Sequence, residues 1–275
     1  MRHITILSGL LLLPRLLPAQ GVLVAPHYVV MDHRTRSGSI TLYNPGNDPV
    51  EISISTLFGY PITDSTGQYL LYTPESPDSS MPSANGWVEA FPRRMTLNGR
   101  ERQTVRLLGR PPAGLRDGEY WTRLVVSAKG GQVPVSGISD TSAIQVGLTL
   151  EVRSILPVFY RKGTLQTGVS ISGIQAHMVG DSLEIRSHLE RHGNGAFIGT
   201  IRGSLVDSTG HVATTFSSPL AVYFTADPLF RAPLIRPAAG LYQLRLELAT
   251  ERADLSSETI LHAPLVRDSA QVRLP

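Results

Sequence analysis

The sequence predicts an all-β protein with a β-sandwich in each half. Three observations carry that prediction. Apolar and polar residues alternate with a period of two through most of the chain, and the 3.6-residue rhythm of an amphipathic helix is nearly absent. The alternating runs are short, and Gly, Pro, Asn, Asp and Ser separate them at spacings of about 8–12 residues, the rhythm of antiparallel sandwiches. The chain has 275 residues, which fits two units of roughly 100–150 residues better than one. The pattern also restarts after Arg161-Lys162-Gly163.

Taken in order, Ser39-Ile40-Thr41-Leu42-Tyr43 alternates and ends on the turn cluster Asn44-Pro45-Gly46-Asn47; Val50 to Ser55 then returns, so a hairpin is expected here. Residues 61–86 are rich in Pro, Ser, Asp and Gly around one short apolar piece, Tyr69 to Tyr72, and read as a long connection holding a single short strand. Met95 to Leu97, Thr104 to Leu108, Tyr120 to Val126 and Ile144 to Val158 are further strands, with a loop from Ala128 to Ser142 between the last two. In the second half the strands are Leu183 to Arg186, Phe197 to Val206, Ala221 to Phe224 and Tyr242 to Leu248. The expected organisation is therefore a first domain over residues 20–162 and a smaller second one over 163–275.

Composition narrows the class. A hydrophobic fraction of 41% with only 17% charged residues suits packed cores and excludes global disorder. The absence of Cys excludes disulfides, thiolate metal sites, cysteine nucleophiles and a lipidated N-terminal cysteine. The net charge of +3 is small and the basic residues are scattered, so nucleic acid is not an expected partner. The opening MRHITILSGLLLLPRLLPAQG has a short basic start, an apolar run from Ile4 to Leu13 and a cleavage point at Ala19-Gln20. It reads as a secretory signal peptide over residues 1–19 and an exported protein. No later stretch has the ~18–20 apolar residues of a membrane-spanning helix.

Five motifs in the first half, in this order, resemble the PapD-type chaperones of the chaperone–usher pilus assembly pathway. They are Ser39-Ile40-Thr41-Leu42-Tyr43-Asn44, Phe91-Pro92-Arg93-Arg94-Met95-Thr96-Leu97, Gln103-Thr104-Val105-Arg106-Leu107, Asp117-Gly118-Glu119-Tyr120-Trp121 and Leu156-Pro157-Val158-Phe159-Tyr160-Arg161. The second motif carries Asn98-Gly99 where the family has Pro-Gly. The set spans residues 22–161; the second half is similar to the family's smaller domain only loosely. The resemblance implies two immunoglobulin-like β-sandwich domains in tandem, angled to each other, and a periplasmic location. It implies partners that are pilin-like secreted subunits and an outer-membrane usher. It also implies donor-strand complementation without ATP, binding energy alone holding the client. No cofactor and no small-molecule substrate are implied.

Residues 144–152 carry the chemistry such a strand needs. Ile144, Val146, Leu148, Leu150 and Val152 share one face, and Gln145, Gly147, Thr149 and Glu151 share the other. A subunit lacking its last strand exposes an apolar groove and a row of unpaired backbone groups. An edge strand with a one-sided apolar row answers both. Five such side chains, fully buried, contribute a gross term of roughly 8–15 kcal/mol before ordering costs. Alternation alone also fits a strand whose apolar face belongs to its own core.

The family anchors the client's terminal carboxylate with an Arg on its first strand and a Lys on the donor strand. Those positions fall at Tyr28 and Pro157, neither of them basic. The Arg34-Thr35-Arg36 stretch reads as a solvated turn. Glu119 and Arg161 match an ion pair that fixes the angle between the family's domains, with Asp254 as an expected third member.

Enzymatic chemistry is not expected. The chain has no GxSxG, no GxxxxGK[ST] and no HExxH. His188 and His192 stand four apart, but in a segment read as strand, which separates them. Gly193-Asn194-Gly195 reads as turn chemistry. Two other readings remain: a secreted two-domain immunoglobulin-like adhesion or structural protein with no chaperone activity, and a hydrolase, which would need a cleft gathering Asp, His and Ser.

Overall fold

The structure, a computed structural model, describes residues 21–130 and 150–275. The expected signal peptide and Ile144, Val146 and Leu148 lie outside the described residues. Within them the chain is all-β.

The first eleven strands are β1 (Leu23–Ala25), β2 (Val29–Asp32), β3 (Ser37–Tyr43), β4 (Val50–Leu57), β5 (Tyr60–Thr63), β6 (Tyr69–Tyr72), β7 (Val88–Phe91), β8 (Arg94–Leu97), β9 (Arg102–Gly109), β10 (Gly118–Lys129) and β11 (Glu151–Lys162). A sheet in the order β1-β3-β9-β7 packs on a five-stranded sheet in the order β2-β11-β10-β4-β8. Between them lies a sealed core from alternating positions: Ile40 and Leu42 of β3, Val105 and Leu107 of β9, Ile52 and Ile54 of β4, Leu124 and Val126 of β10, and Leu156 and Val158 of β11.

The expected hairpin between residues 39–43 and 50–55 does not form. β3 pairs with β1 and β9, whereas β4 pairs with β10 and β8, so the two strands stand in opposite sheets. Asn44 explains the crossing. Its buried side-chain amide donates to the carbonyls of Asp48 (2.8 Å), Leu97 (3.1 Å) and Asn98 (3.1 Å), while Oδ1 accepts from Gly46 N (2.9 Å). The bend is tied to the start of the next sheet rather than closed on itself. The loop expected from Ala128 also begins later, since Ala128 and Lys129 belong to β10.

The remaining strands are β12 (Thr167–Val179), β13 (Ser182–Gly193), β14 (Phe197–Val206), β15 (Val212–Val222), β16 (Thr225–Ala226), β17 (Leu229–Pro233), β18 (Gly240–Ala249) and β19 (Val266–Leu274). A sheet β12-β13-β16, with β17 also on β13, faces a sheet β15-β14-β18-β19. Leu183, Ile185 and Leu189 meet Phe197, Ile201, Leu205, Leu244, Leu246 and Leu248 in a second core. The strand expected over Ala221 to Phe224 ends at Val222. Tyr223 and Phe224 are apolar because they enter a contact between the sandwiches, not because they extend a sheet.

That contact is an aromatic cluster. Phe58, Tyr60, Trp121 and Phe159 of the first sandwich bury against Ala196, Ile198 and Tyr223 of the second. β10 is buried on both faces, and Trp121 carries its outer face into this junction. The hairpin β5–β6 crosses the same gap. Its tip bonds the second sandwich through Asp227 N to Thr63 Oγ1 (2.7 Å), Leu229 N to Gly67 O (3.0 Å) and Arg186 Nη2 to Thr66 O (3.0 Å). Gly67 sits at φ +83°, and a Cβ there would fall 2.6 Å from Leu229, so both backbone and space demand glycine.

Candidate functional site: an open edge beside a cleft

β11 pairs with β10 along its whole length, from Glu151 to Lys162. On its other side β2 runs parallel and covers only Val158 to Arg161. Among the described residues the margin from Glu151 to Pro157 has no strand beside it. The apolar row divides at the same place. Leu150 is 47% exposed and Val152 36%, while Leu156, Val158 and Tyr160, on the same face further along, are sealed in the first core. Among the described residues one strand thus closes its own sandwich at one end and offers side chains and a backbone margin without a partner strand at the other, the combination that recruits an additional strand.

Where the covered and open parts of β11 meet, a cleft of about 440 Å3 lies between the sandwiches. Ile155 and Pro157 of β11, Tyr28, Tyr69 to Leu71 of β6, and Ile198, Tyr223 and Arg252 line it, together with Arg123 of β10. Tyr28 and Pro157, the two non-basic positions noted above, both face this cleft. Arg123 stands directly opposite Pro157 in the β10–β11 register. It is only 7% exposed, its Nε donates to Gly59 O at 2.8 Å, and its guanidinium carbon lies 5.3 Å from the Tyr223 ring centre. No carboxylate stands within ion-pair distance of it among the described residues. Burial pushes the Tyr223 phenol up to about 12, a shift the nearby Arg123 partly opposes. An almost buried guanidinium without a counter-ion is costly, and it is suited to receive an anion entering the cleft. The spacing of residue types gave no sign of Arg123; only the register and the missing acid single it out.

Glu119 and Arg161 join the two sandwiches. Arg161 Nε donates to Glu119 Oε2 at 2.8 Å, and its two Nη groups donate to the carbonyls of Glu258 (3.1 Å) and Thr259 (2.6 Å). Glu119 is 1% exposed, and its Oε1 accepts from Trp121 Nε1 (2.9 Å) and Ala196 N (3.0 Å). Three donors satisfy this carboxylate, two from the first sandwich and one from the second. Asp254 is not part of the cluster. It accepts from Arg252 Nε at 2.7 Å, which holds its carboxyl below the usual range. A partner two residues away captured it, and backbone carbonyls took the third place beside Arg161.

A larger concavity, about 900 Å3, lies on the outer face of the β15-β14-β18-β19 sheet. Its Arg202 and Arg267 both pair with Glu247, so no buried charge there awaits a ligand. His188 bonds Asp227 at 2.8 Å, and among the described residues no three His, Asp or Glu side chains gather as metal ligands. Among the described residues no Asp, His or Ser lines the cleft between the sandwiches.

No protein-family profile matches the chain. No curated protein matches it by sequence. Solved structures do match its course. One is the CupB2 chaperone of Pseudomonas aeruginosa, with 12% identity, 90% of this chain and 98% of that one covered, and a TM-score of 0.41. Another is the Escherichia coli chaperone DraB, with 12% identity, 93% and 97% covered, and a TM-score of 0.41. A third comes from the CsuC–CsuE chaperone–tip adhesion subunit pre-assembly complex of archaic chaperone-usher Csu pili of Acinetobacter baumannii, with 10% identity, 92% and 98% covered, and a TM-score of 0.46. The chain is similar to these chaperones. The similarity lies in the path of the backbone, and the functional reading rests on the chain's own edge and cleft.

Proposed function

We propose that this protein is a periplasmic, ATP-independent chaperone for pilin-like secreted subunits, which it holds by strand donation and delivers to an outer-membrane usher. The open margin of β11 carries the proposal. An incomplete sandwich needs one strand and a row of apolar side chains; Glu151 to Pro157 presents the free ladder, and Leu150 and Val152 begin the row that Leu148, Val146 and Ile144 continue in sequence. Glu119 and Arg161 hold the two sandwiches around the cleft. The end of the client segment enters that cleft, and its terminal carboxylate is received by Arg123 in place of the family's two cations.

The test is co-purification of the exported chain with a stoichiometric β-sandwich subunit, repeated with Leu150→Glu combined with Val152→Glu. Both side chains are exposed, so the double variant is expected to melt like the parent and to lose the subunit. A variant that keeps its subunit, or one that unfolds, overturns the proposal.

A further inference from the structure

The hairpin β5–β6 has a feature that its role as a cross-link between the sandwiches does not require. All four residues of β6, Tyr69, Leu70, Leu71 and Tyr72, are apolar in body and between 37% and 42% exposed. A strand that only braced the sandwiches would hide one face and make the other polar. Among the described residues β6 pairs with β5 alone, so there its outer margin has no strand beside it, and an exposed apolar run on an open edge is an aggregation hazard unless something covers it. A lone two-stranded hairpin is also marginal in water. This one is held at its tip by the three bonds to Thr63, Thr66 and Gly67 and at its base by Tyr60, whose ring meets Phe224 at 4.9 Å and Tyr72 at 5.6 Å.

Its position supplies the occupant. Tyr69 to Leu71 line the same cleft as Ile155 and Pro157 of β11, and so does Arg123, which has no carboxylate partner among the described residues. A segment laid along the open margin of β11 and ending on Arg123 must pass its last side chains across β6. We propose that Leu70 and Leu71 bind the apolar side chains adjacent to the C-terminal carboxylate of the client strand, so that the hairpin selects which strand ends the cleft accepts. This rests on the reading of β11 as the client-binding margin. The occupant is an extended chain whose terminus is both anionic and apolar.

The probe is a short synthetic peptide of alternating valine and threonine with a free terminal carboxylate, compared with one whose last two side chains are serine. Both are titrated into the full chain by fluorescence anisotropy. In Leu70→Ser combined with Leu71→Ser, binding of the valine-ended peptide is expected to weaken about tenfold, to the level of the serine-ended one, with the melting temperature unchanged. Leu150→Glu with Val152→Glu is expected to abolish binding of both. If the hairpin variant binds the valine-ended peptide like the parent while the β11 variant loses it, the hairpin inference is overturned and the strand reading stands. If the β11 variant also binds unchanged, both are overturned. Should the double hairpin variant unfold, Leu70→Ser alone repeats the comparison, because Leu70 is the most exposed leucine of the pair.

Discussion

Arg161 Nε lies 2.8 Å from Glu119 Oε2, and this ion pair is nearly withdrawn from water, with the two side chains 11% and 1% exposed. Its two residues sit opposite each other on β10 and β11, yet apart from the Trp121 indole their remaining side-chain hydrogen bonds go to Ala196, Glu258 and Thr259 in the other sandwich. A pair inside one sheet thereby fastens two cores. Removing one member of a buried pair leaves the other charged and unmatched, at about 3–5 kcal/mol. Glu119→Gln is expected near the lower figure, since the amide oxygen still accepts from Trp121 or Ala196. Urea denaturation measures it, and a loss below about 1 kcal/mol would show that the junction holds without the charge.

The two ends of the β11 row are expected to respond oppositely to truncation. Leu156 fills the first core, so Leu156→Ala should cost about 2–5 kcal/mol. Leu150 is about half exposed, and Leu150→Ala should stay within about 0.5 kcal/mol of the parent. Equal losses at the two positions would mean that the row is core throughout, and strand donation would fail with it.

Much of this was legible in the sequence, and what was not has a physical cause. The strand at Phe197 to Val206 lies where its pattern puts it, because a half-buried strand writes its own period, whereas Tyr69 to Tyr72 was legible only as a short apolar run between turn residues and forms a strand exposed at all four positions. The partner of a strand is not written there. Nothing local says that β2 will run parallel to β11, or that the bend at Asn44 will leave its sheet. Tyr223 and Phe224 look like strand residues because burial against a distant Trp121 selects the same side chains as a sheet does. Arg123 escaped notice for a related reason. In Tyr120-Trp121-Thr122-Arg123-Leu124 it resembles any polar position of an alternating strand, and its meaning depends on the lack, among the described residues, of an acid within ion-pair distance.

Arg123 gives the third expectation. A guanidinium that is buried, bonded once to Gly59 and facing an aromatic ring contributes little and costs desolvation. Arg123→Met should leave stability unchanged or raise it by about 1 kcal/mol. The same change should erase any preference of the cleft for a peptide with a free carboxylate over its terminal amide, read by competition binding. A loss of stability above about 2 kcal/mol would identify Arg123 as a structural cation instead.

Tyr223 reports the junction itself. Its phenol is buried and pushed up to about 12, chiefly by desolvation and against the pull of Arg123. Below pH 10 the phenol is protonated in both folded and unfolded chains, so its contribution there does not vary. Above pH 10 the unfolded phenol releases its proton while the folded one keeps it, so unfolding gains a term that grows until pH reaches about 12. At about 1.4 kcal/mol per pH unit this removes about 3 kcal/mol of stability across that window. Denaturant titrations between pH 9 and about 12 should therefore fall less steeply for Tyr223→Phe than for the parent, and the absorbance of tyrosinate should lose one component that titrates well above pH 10. Identical slopes would mean that water reaches the Tyr223 hydroxyl, and that the two sandwiches part at this ring well before either core unfolds.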